Sequence, residues 1–96
     1  MLKIRRTAQF KKDYKKILLK QGLDENAFIE VLKLLCNQIP LPLKYKDHPL
    51  QGSYKGYRDC HIGPDWVLIY KIEKEISLIT LQRTGSHSEL FGKSNS

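Results

Sequence analysis

The sequence has no long apolar run, only two cysteines and a single acidic residue among its first twenty. A membrane-spanning helix needs roughly 20 consecutive apolar residues, so the apolar runs here are too short to cross a bilayer. The N-terminus, MLKIRRTAQF, lacks the apolar core and small-residue cleavage site of a secretory signal. Cys36 and Cys60 are too few for the disulfide framework of a secreted domain, and we expect two free, mostly buried thiols. Together these absences predict a cytoplasmic protein.

The size of the chain limits the core that it can build. Its 96 residues correspond to one domain, and 41% of them are apolar, which is enough for a globular core. A domain this small buries only about 60% of the surface that its unfolded chain exposes. We therefore expect a thin core between one sheet and one layer of helices. The domain should occupy residues 1–92, followed by a flexible tail over 93–96.

Positive charge is what the chain has in excess. Seventeen lysines and arginines against ten acidic residues give a net charge of +7, and residues 1–20 hold eight of the cations against Asp13 alone. Such a surface attracts nucleic-acid phosphates or an acidic protein segment. We expect four helix lysines to dock on a polyanion: Lys11, Lys12, Lys15 and Lys16. The alternative is that they form a solvated helix face that only keeps the protein soluble.

The first forty residues show the pattern of a short strand followed by two helices. Residues 2–7 alternate as a strand does, and Thr7 can cap a helix over residues 8–20. The apolar stripe of that helix consists of Phe10, Tyr14, Ile17 and Leu18. Gly22 is typical of a helix end, and Asp24 can cap a second helix.

The hydrophobic period then changes from 3.6 to 2, which indicates strands. Residues 57–62, 65–72 and 76–83 are rich in β-branched and aromatic residues and are separated by short breaks, so they predict an antiparallel meander. Helices followed by strands define an α+β domain, with the two N-terminal helices packed on one face of the sheet. The other face should stay partly open and can bind a ligand.

The three histidines of the chain are His48, His61 and His87. Strand alternation places His61 on the face away from Cys60 and Ile62, which should point to the core. A lone strand histidine is more often a surface residue than a catalyst. Asp65 follows just after a turn, but the sequence does not show whether the histidines meet.

These residue types suit metal-free cleavage of RNA better than metal binding. The histidines are separated by 12 and 25 residues, whereas catalytic zinc sites usually place two ligands close in sequence, so we predict no metal and no cofactor. Cleavage through the 2′-OH of RNA needs a base, an acid and a cation, which histidines and Arg83 can supply. Four rings are candidates for stacking on unpaired bases: Tyr54, Tyr57, Trp66 and Phe91. The set is chemically sufficient, but many small basic proteins contain such residues by chance.

Longer motifs make the interpretation specific. The elements YKDHPLxG, YRDxHIxPDWVLIY and RTGSHSELF occur in this order, and together they closely resemble the YafQ-like subgroup of the RelE/ParE toxin superfamily. The resemblance is strongest from Leu41 to Gly92 and looser through the two helices. It implies a RelE-like fold, with two N-terminal helices against an antiparallel sheet. It also implies the toxin of a bacterial type II toxin–antitoxin pair.

The resemblance further implies an endoribonuclease that cuts mRNA in the ribosomal A site. The residues that match catalytic positions are His48, His61, Asp65 and His87. Those that match or lie near positions for RNA and phosphate binding are Arg83, Phe91, Trp66 and Asp59. We expect His87 and Asp65 to handle proton transfer. His48 and His61 would orient or share the proton, and Arg83 would stabilise the charge.

The implied partners are mRNA, the ribosome and a cognate antitoxin with an acidic segment, which would form a heterotetramer with the toxin in the bacterial cytoplasm. Phosphates of ribosomal RNA would also account for the lysine-rich helix. Two other functions stay open. The ParE branch shares the fold and inhibits gyrase, although those toxins are expected to lack the histidines. A non-catalytic RNA-binding module would contain the histidines incidentally.

Overall fold

The computed structural model describes residues 1–20 and 23–92, and these residues form an α+β domain. In chain order its elements are β1 (Lys3–Arg6), α1 (Ala8–Leu18), α2 (Glu25–Cys36), β2 (His48–Pro49), β3 (Arg58–Gly63), β4 (Trp66–Glu73), β5 (Leu78–Gly85) and α3 (His87–Phe91). Short 3₁₀ turns cover Leu43–Tyr45, Gly52–Tyr54 and Lys74–Ile76. The predicted order of a strand, two helices and three strands is confirmed. The predicted helix end at Gly22 and the predicted tail over 93–96 lie outside the described residues.

The strands form one sheet in the order β1-β5-β4-β3-β2. Strands β3, β4 and β5 make the predicted antiparallel meander. β1 pairs with β5 in parallel, so the sheet is mixed and the expectation of a purely antiparallel sheet is wrong. The reason is that two helices separate β1 from the meander, and no hairpin imposes an antiparallel pairing. β2 was not predicted, because its two residues are too few to show an alternating pattern.

Helix α1 begins as its sequence predicts and ends two residues early. The hydroxyl oxygen of Thr7 accepts a hydrogen bond from the backbone N–H of Phe10 at 2.9 Å, which caps the first turn. Phe10 and Ile17 are buried, but Leu18 is 41% exposed, so its assignment to the apolar stripe is wrong. At about 100° per residue, Leu18 lies roughly 80° around the helix from Phe10 and faces solvent.

Helix α2 completes the layer that covers one face of the sheet. The carboxylate of Asp24 accepts a hydrogen bond from the N–H of Asn26 at 3.0 Å and caps the helix as predicted. Its apolar stripe is buried together with the inward side chains of β3 and β4: Phe28, Val31, Leu35, Cys60, Ile62, Trp66, Leu68 and Tyr70. Both cysteines are free and buried, which confirms that expectation. Among the described residues no helix is both long and apolar enough to cross a membrane.

The opposite face of the sheet has a much smaller apolar cluster. Val67 and Ile69 of β4 form its floor, and Leu90 of α3 covers them. Tyr54, Tyr57 and Phe91 pack around the edge of this cluster. Most of this face is therefore free to hold polar side chains, as the sequence pattern predicts for an open face.

Candidate active site

The open face brings two of the histidines into contact. The predicted alternation of β3 is confirmed, because Cys60 is fully buried on the helix side while His61 is half-buried on the other side. The ring of His87 stands edge-on to that of His61, with 4.7 Å between their centroids. Two residues 26 positions apart therefore form one unit. The contact arises because Val67 of β4 pairs with Gly85 of β5, which places the residues that follow Gly85 beside the start of β4 and the end of β3.

Asp65 orients His87. Ser86 caps helix α3, so His87 is its first residue and has a backbone N–H with no partner inside the helix. The carboxylate of Asp65 accepts hydrogen bonds from this N–H at 3.1 Å and from Nδ1 of the ring at 3.3 Å. The backbone hydrogen bond, above all, holds the pKa of Asp65 below its usual range. A carboxylate can only accept from Nδ1, so this contact favours the tautomer that carries its proton on Nδ1 and leaves Nε2 without a partner in this bond.

His48 and Asp59 lie side by side at the edge of the sheet. Nδ1 of His48 is 2.8 Å from the carbonyl oxygen of Lys46 and 3.2 Å from Oδ1 of Asp59. Since a carbonyl oxygen only accepts, the Nδ1 proton points to Lys46, and the contact with Asp59 is at ion-pair distance without a hydrogen bond. Asp59 is 3% exposed, and its Oδ1 has no hydrogen-bond partner in the described part of the chain. Burial raises the pKa of Asp59, and the neighbouring histidines partly oppose that rise.

His61 is biased towards its neutral form. Burial lowers the pKa of its imidazole, and the charge of His87 lowers it further, while the charge of Asp59 acts in the opposite direction. A neutral imidazole near physiological pH can accept a proton. His61 and His87 therefore differ in environment although their rings touch, which is how acid and base roles are separated in paired sites.

Arg83 is held by a residue that sequence reasoning missed. Nε and Nη2 of Arg83 donate to the two carboxylate oxygens of Asp13, each at 3.0 Å, in a bidentate pair. Asp13 also accepts from Gln9 at 2.9 Å and from the backbone N–H of Thr84 at 3.2 Å. Arg83 keeps 26% of its side chain exposed, so the remaining guanidinium donors can still meet a phosphate. The available signal was Asp13 itself, the one acidic residue in a cationic helix.

A row of rings connects Arg83 to the histidines. The hydroxyl of Tyr54 is close enough to Arg83 to help raise the pKa of the guanidinium. The rings of Tyr54 and Phe91 are 6.2 Å apart, and the rings of Phe91 and His87 are also 6.2 Å apart. Phe91 therefore lies beside His87 and is half-exposed.

Trp66 does not belong to this surface, and its assignment to RNA binding is wrong. It is 1% exposed and lies on the helix side of the sheet, stacked on Phe28 with 5.9 Å between ring centroids. Its indole N–H donates to the hydroxyl of Thr84 at 2.8 Å. A ring buried in this way cannot stack on a base, so Trp66 is a core residue.

The four lysines of α1 are all exposed to solvent, including Lys16 with 70% of its side chain accessible. Lys16 donates to Glu89 of α3 at 2.8 Å, and this hydrogen bond is the largest of the effects that lower the pKa of Glu89 to about 2. Glu89 also accepts from the backbone N–H of Ser86 and so closes the capping box of α3. Lys16 thus links α1 to the helix that carries His87.

The fold and the site define a class of protein. It is a small basic α+β domain that presents acid–base groups and an anchored arginine on an uncovered sheet face. These are the groups that a ribonuclease needs in order to cleave RNA by proton transfer. Residues 2–92 match the sequence model of a family described as the bacterial toxin of type II toxin–antitoxin system, YafQ. The chain belongs to this family.

Relatives and solved structures agree with that assignment. The mRNA interferase toxin YafQ of Escherichia coli strain K12 is 49% identical over 87 residues, which cover 90% of this chain and 91% of the relative. The toxin in the crystal structure of the E. coli DinJ–YafQ complex is 47% identical with a TM-score of 0.82, covering 96% of this chain and all of that one. The metal-bound toxin from Helicobacter pylori is also 47% identical, with a TM-score of 0.84, and covers 95% of this chain and all of that one.

The metal-bound relative makes the donor set of this chain relevant. Within residues 1–20 and 23–92, no three or more His, Cys, Asp or Glu side chains converge in a way that could hold a metal ion. The ring of His87 contacts that of His61, and Asp65 is bonded to His87. Nδ1 of His48 is already occupied by a carbonyl oxygen.

Proposed function

We propose that this chain is an mRNA endoribonuclease that cleaves through the 2′-OH without a metal ion. The observation that carries the proposal is the contact between His61 and His87, with 4.7 Å between ring centroids and Asp65 bonded to one of them. The 49% identity to an mRNA interferase toxin of E. coli supports mRNA as the substrate. The lysine-rich α1 supports cleavage on the ribosome, where such a surface meets ribosomal RNA phosphates.

The two imidazoles divide the proton transfers. His61, whose pKa is lowered chiefly by burial, takes the proton of the 2′-OH as that oxygen attacks phosphorus. The bond from phosphorus to the 5′-oxygen breaks, and Nε2 of His87 donates a proton to the departing oxygen. Asp65 holds the opposite ring nitrogen of His87 and stabilises the cationic ring. The products are a 2′,3′-cyclic phosphate and a 5′-OH, and the proton balance closes when the two histidines exchange protons through solvent.

Arg83 and the aromatic residues act on the rest of the substrate. Arg83, fixed by Asp13, stabilises the charge that develops on the nonbridging oxygens. Phe91 offers an aromatic face next to His87 on which an unpaired base can stack. His48 is held by Lys46 close to buried Asp59 and helps to balance the charges around His61.

The proposal extends to the partners of the toxin. A toxin of this family has an antitoxin partner, as the E. coli complex illustrates. An antitoxin with an acidic segment would complement the +7 chain and compete with RNA for α1. A heterotetramer in the bacterial cytoplasm is the assembly that we propose. Binding of the antitoxin and cleavage of mRNA would then exclude each other.

Primer extension on a translated mRNA tests the proposal. Wild-type protein that has been dialysed against EDTA before it is added to the ribosomes should cleave only when ribosomes are present and should leave 5′-OH ends. His61→Ala and His87→Ala should each reduce cleavage by about 10²-fold or more, because each removes a proton-transfer group, while antitoxin binding is kept. Lys74→Ala, at the far end of the sheet, is the matched control. Full activity of both histidine variants, 5′-phosphate ends, or DNA damage without mRNA cleavage would contradict the proposal.

A further inference from the structure

A cavity of about 360 Å³ opens beside His61, and neither Tyr54, Phe91 nor His87 is among the residues that line it. Ala27 of α2 forms one wall. Lys44, Tyr45 and Lys46, around the first 3₁₀ turn, form a second wall. The end of β3 and the turn after it complete the cavity with residues 61–64. None of the roles assigned so far uses this space.

The cavity exists because the edge of β3 is only half covered. β2 pairs with Arg58 and Asp59 and then ends, so within the described residues no strand pairs with the outer edge of the last part of β3, whose other edge pairs with β4. The turn Leu43–Tyr45 and α2 approach this edge without pairing with it. His61 is among the residues that line this gap, so the gap borders a proposed catalytic group.

The cavity has cationic and apolar walls and no acidic residue among those that line it. Lys44 and Lys46 supply the charge, and Ile62 and Pro64 supply apolar surface. Lys46 is fixed in the left-handed region, with φ at 49°, and its carbonyl oxygen accepts the hydrogen bond from His48. The charge of Lys46 also reaches His61 and contributes to lowering the pKa of that histidine. One residue thus borders both the cavity and the catalytic group.

We propose that this cavity is the subsite for the ribonucleotide next to the scissile bond, with Lys44 and Lys46 holding its phosphate and the apolar wall receiving its ribose or base. The inference rests on the proposed ribonuclease function. Ligand pockets occupy about 300–1,000 Å³, and a cavity at the low end of that range suits one nucleotide of a single strand. The strand would run from Arg83 and Phe91, past His87 and His61, into the cavity.

Such a subsite determines where the strand is cut. A nucleotide that fits the cavity holds the adjoining phosphate over His61, and one that does not fit leaves that phosphate displaced. Discrimination by a mostly apolar pocket is modest, about 10–200-fold per methylene-sized difference. The cleavage pattern therefore depends on Ala27 and the two lysines, although none of them transfers a proton.

Three variants test the subsite, each with a different defect. Ala27→Leu fills the cavity, Lys44→Ala removes one charge, and Lys46→Gly removes the other while glycine tolerates the positive φ. Lys74→Ala, which lies on the turn between β4 and β5, is the control. Cleavage of a defined mRNA on programmed ribosomes is followed by mapping all 5′-OH ends. We expect kcat/KM to fall about tenfold for each lysine variant, the size of one charge-assisted hydrogen bond, and Ala27→Leu to redistribute the cut sites.

A binding measurement separates this proposal from the proposed function. A 2′-deoxy-substituted RNA oligonucleotide lacks the attacking hydroxyl, and its affinity for the free protein is measured at several salt concentrations. Each lysine variant should lower the slope of log affinity against log salt by about 0.7, the value for one lost contact to a single strand. If wild-type protein never cleaves RNA, the ribonuclease function fails but this slope still tests the cavity. If wild-type protein cleaves and the three variants match it in rate, cut sites and salt slope, the subsite is refuted.

Discussion

Replacing Asp13 by asparagine should weaken both the fold and the catalysis, although Asp13 lies outside the histidine cluster. Its carboxylate is 8% exposed and accepts four hydrogen bonds, two of them from Arg83. Asparagine keeps the shape but loses the charge. In either orientation its NH₂ group, which cannot accept, faces one donor of Arg83 and one of Gln9 or Thr84. The bidentate pair is therefore broken with both residues still in place.

The structure sets the size of the expected loss. Breaking a buried ion pair by removing one partner costs about 3–5 kcal/mol. Here Arg83 is 26% exposed and asparagine retains one acceptor, so we expect about 2–3 kcal/mol in the free energy of unfolding. A guanidinium that is no longer fixed should also lower kcat by about 10–100-fold, with a smaller change in KM, because its position matters most in the transition state.

Urea denaturation and single-turnover cleavage measure these two effects. Asp24→Asn is the matched control, because asparagine caps a helix as well as aspartate does and the variant should behave as wild type. In the Arg83→Ala background, Asp13→Asn should cause little further loss of kcat, since its effect acts through Arg83. If Asp13→Asn has a free energy of unfolding within about 0.5 kcal/mol of wild type and an unchanged kcat, the proposed role of Asp13 is refuted.

The same pair predicts a dependence of stability on pH. Burial alone would raise the pKa of Asp13, but hydrogen bonds from Arg83, Gln9 and Thr84 outweigh it and hold the pKa below its usual range. A lowered carboxyl pKa means that the stabilisation is fully present above the unfolded value of about 3.9 and is lost as the pH falls through the folded value. The difference in the free energy of unfolding between wild type and Asp13→Asn should therefore shrink as the pH falls below 4. Urea titrations at successive pH values measure this difference.

Two further predictions concern His61 and Trp66. Burial and the charge of His87 lower the pKa of His61, so the acid limb of the profile of kcat against pH should lie below about pH 6.5. Asp59→Asn should move this limb to still lower pH, because it removes a negative charge that raises the pKa of His61. An acid limb at or above about pH 6.5 would contradict this assignment. Trp66→Phe should reduce the free energy of unfolding by about 1–3 kcal/mol, from the lost bond to Thr84 and the space left behind, with KM unchanged. A raised KM at wild-type stability would return Trp66 to the RNA-binding surface.

The alternation and capping patterns of the sequence predicted the helices and the main strands and the orientation of His61. They could not predict contacts between residues that are far apart in the sequence. Asp13 and Arg83 are 70 positions apart, and their pairing requires α1 to pack beside β5. The orientation of Trp66 was hidden for another reason. β4 is apolar on both faces, with Trp66, Leu68 and Tyr70 in the larger core cluster and its alternate residues in the smaller one, so no polar residue marks the outer side.

Helix α1 contributes to the site as well as to the charged surface, and this changes how its role must be tested. Lys16 pairs with Glu89 of α3, and Asp13 pairs with Arg83 of β5, so one helix contacts both the segment that carries His87 and the arginine of the site. Reversing the charge of Lys16 would place two carboxylates together and disturb α3. Loss of ribosome binding in such a variant would not distinguish docking from a displaced helix. The docking surface is therefore tested with Lys11, Lys12 and Lys15 reversed together and Lys16 left intact.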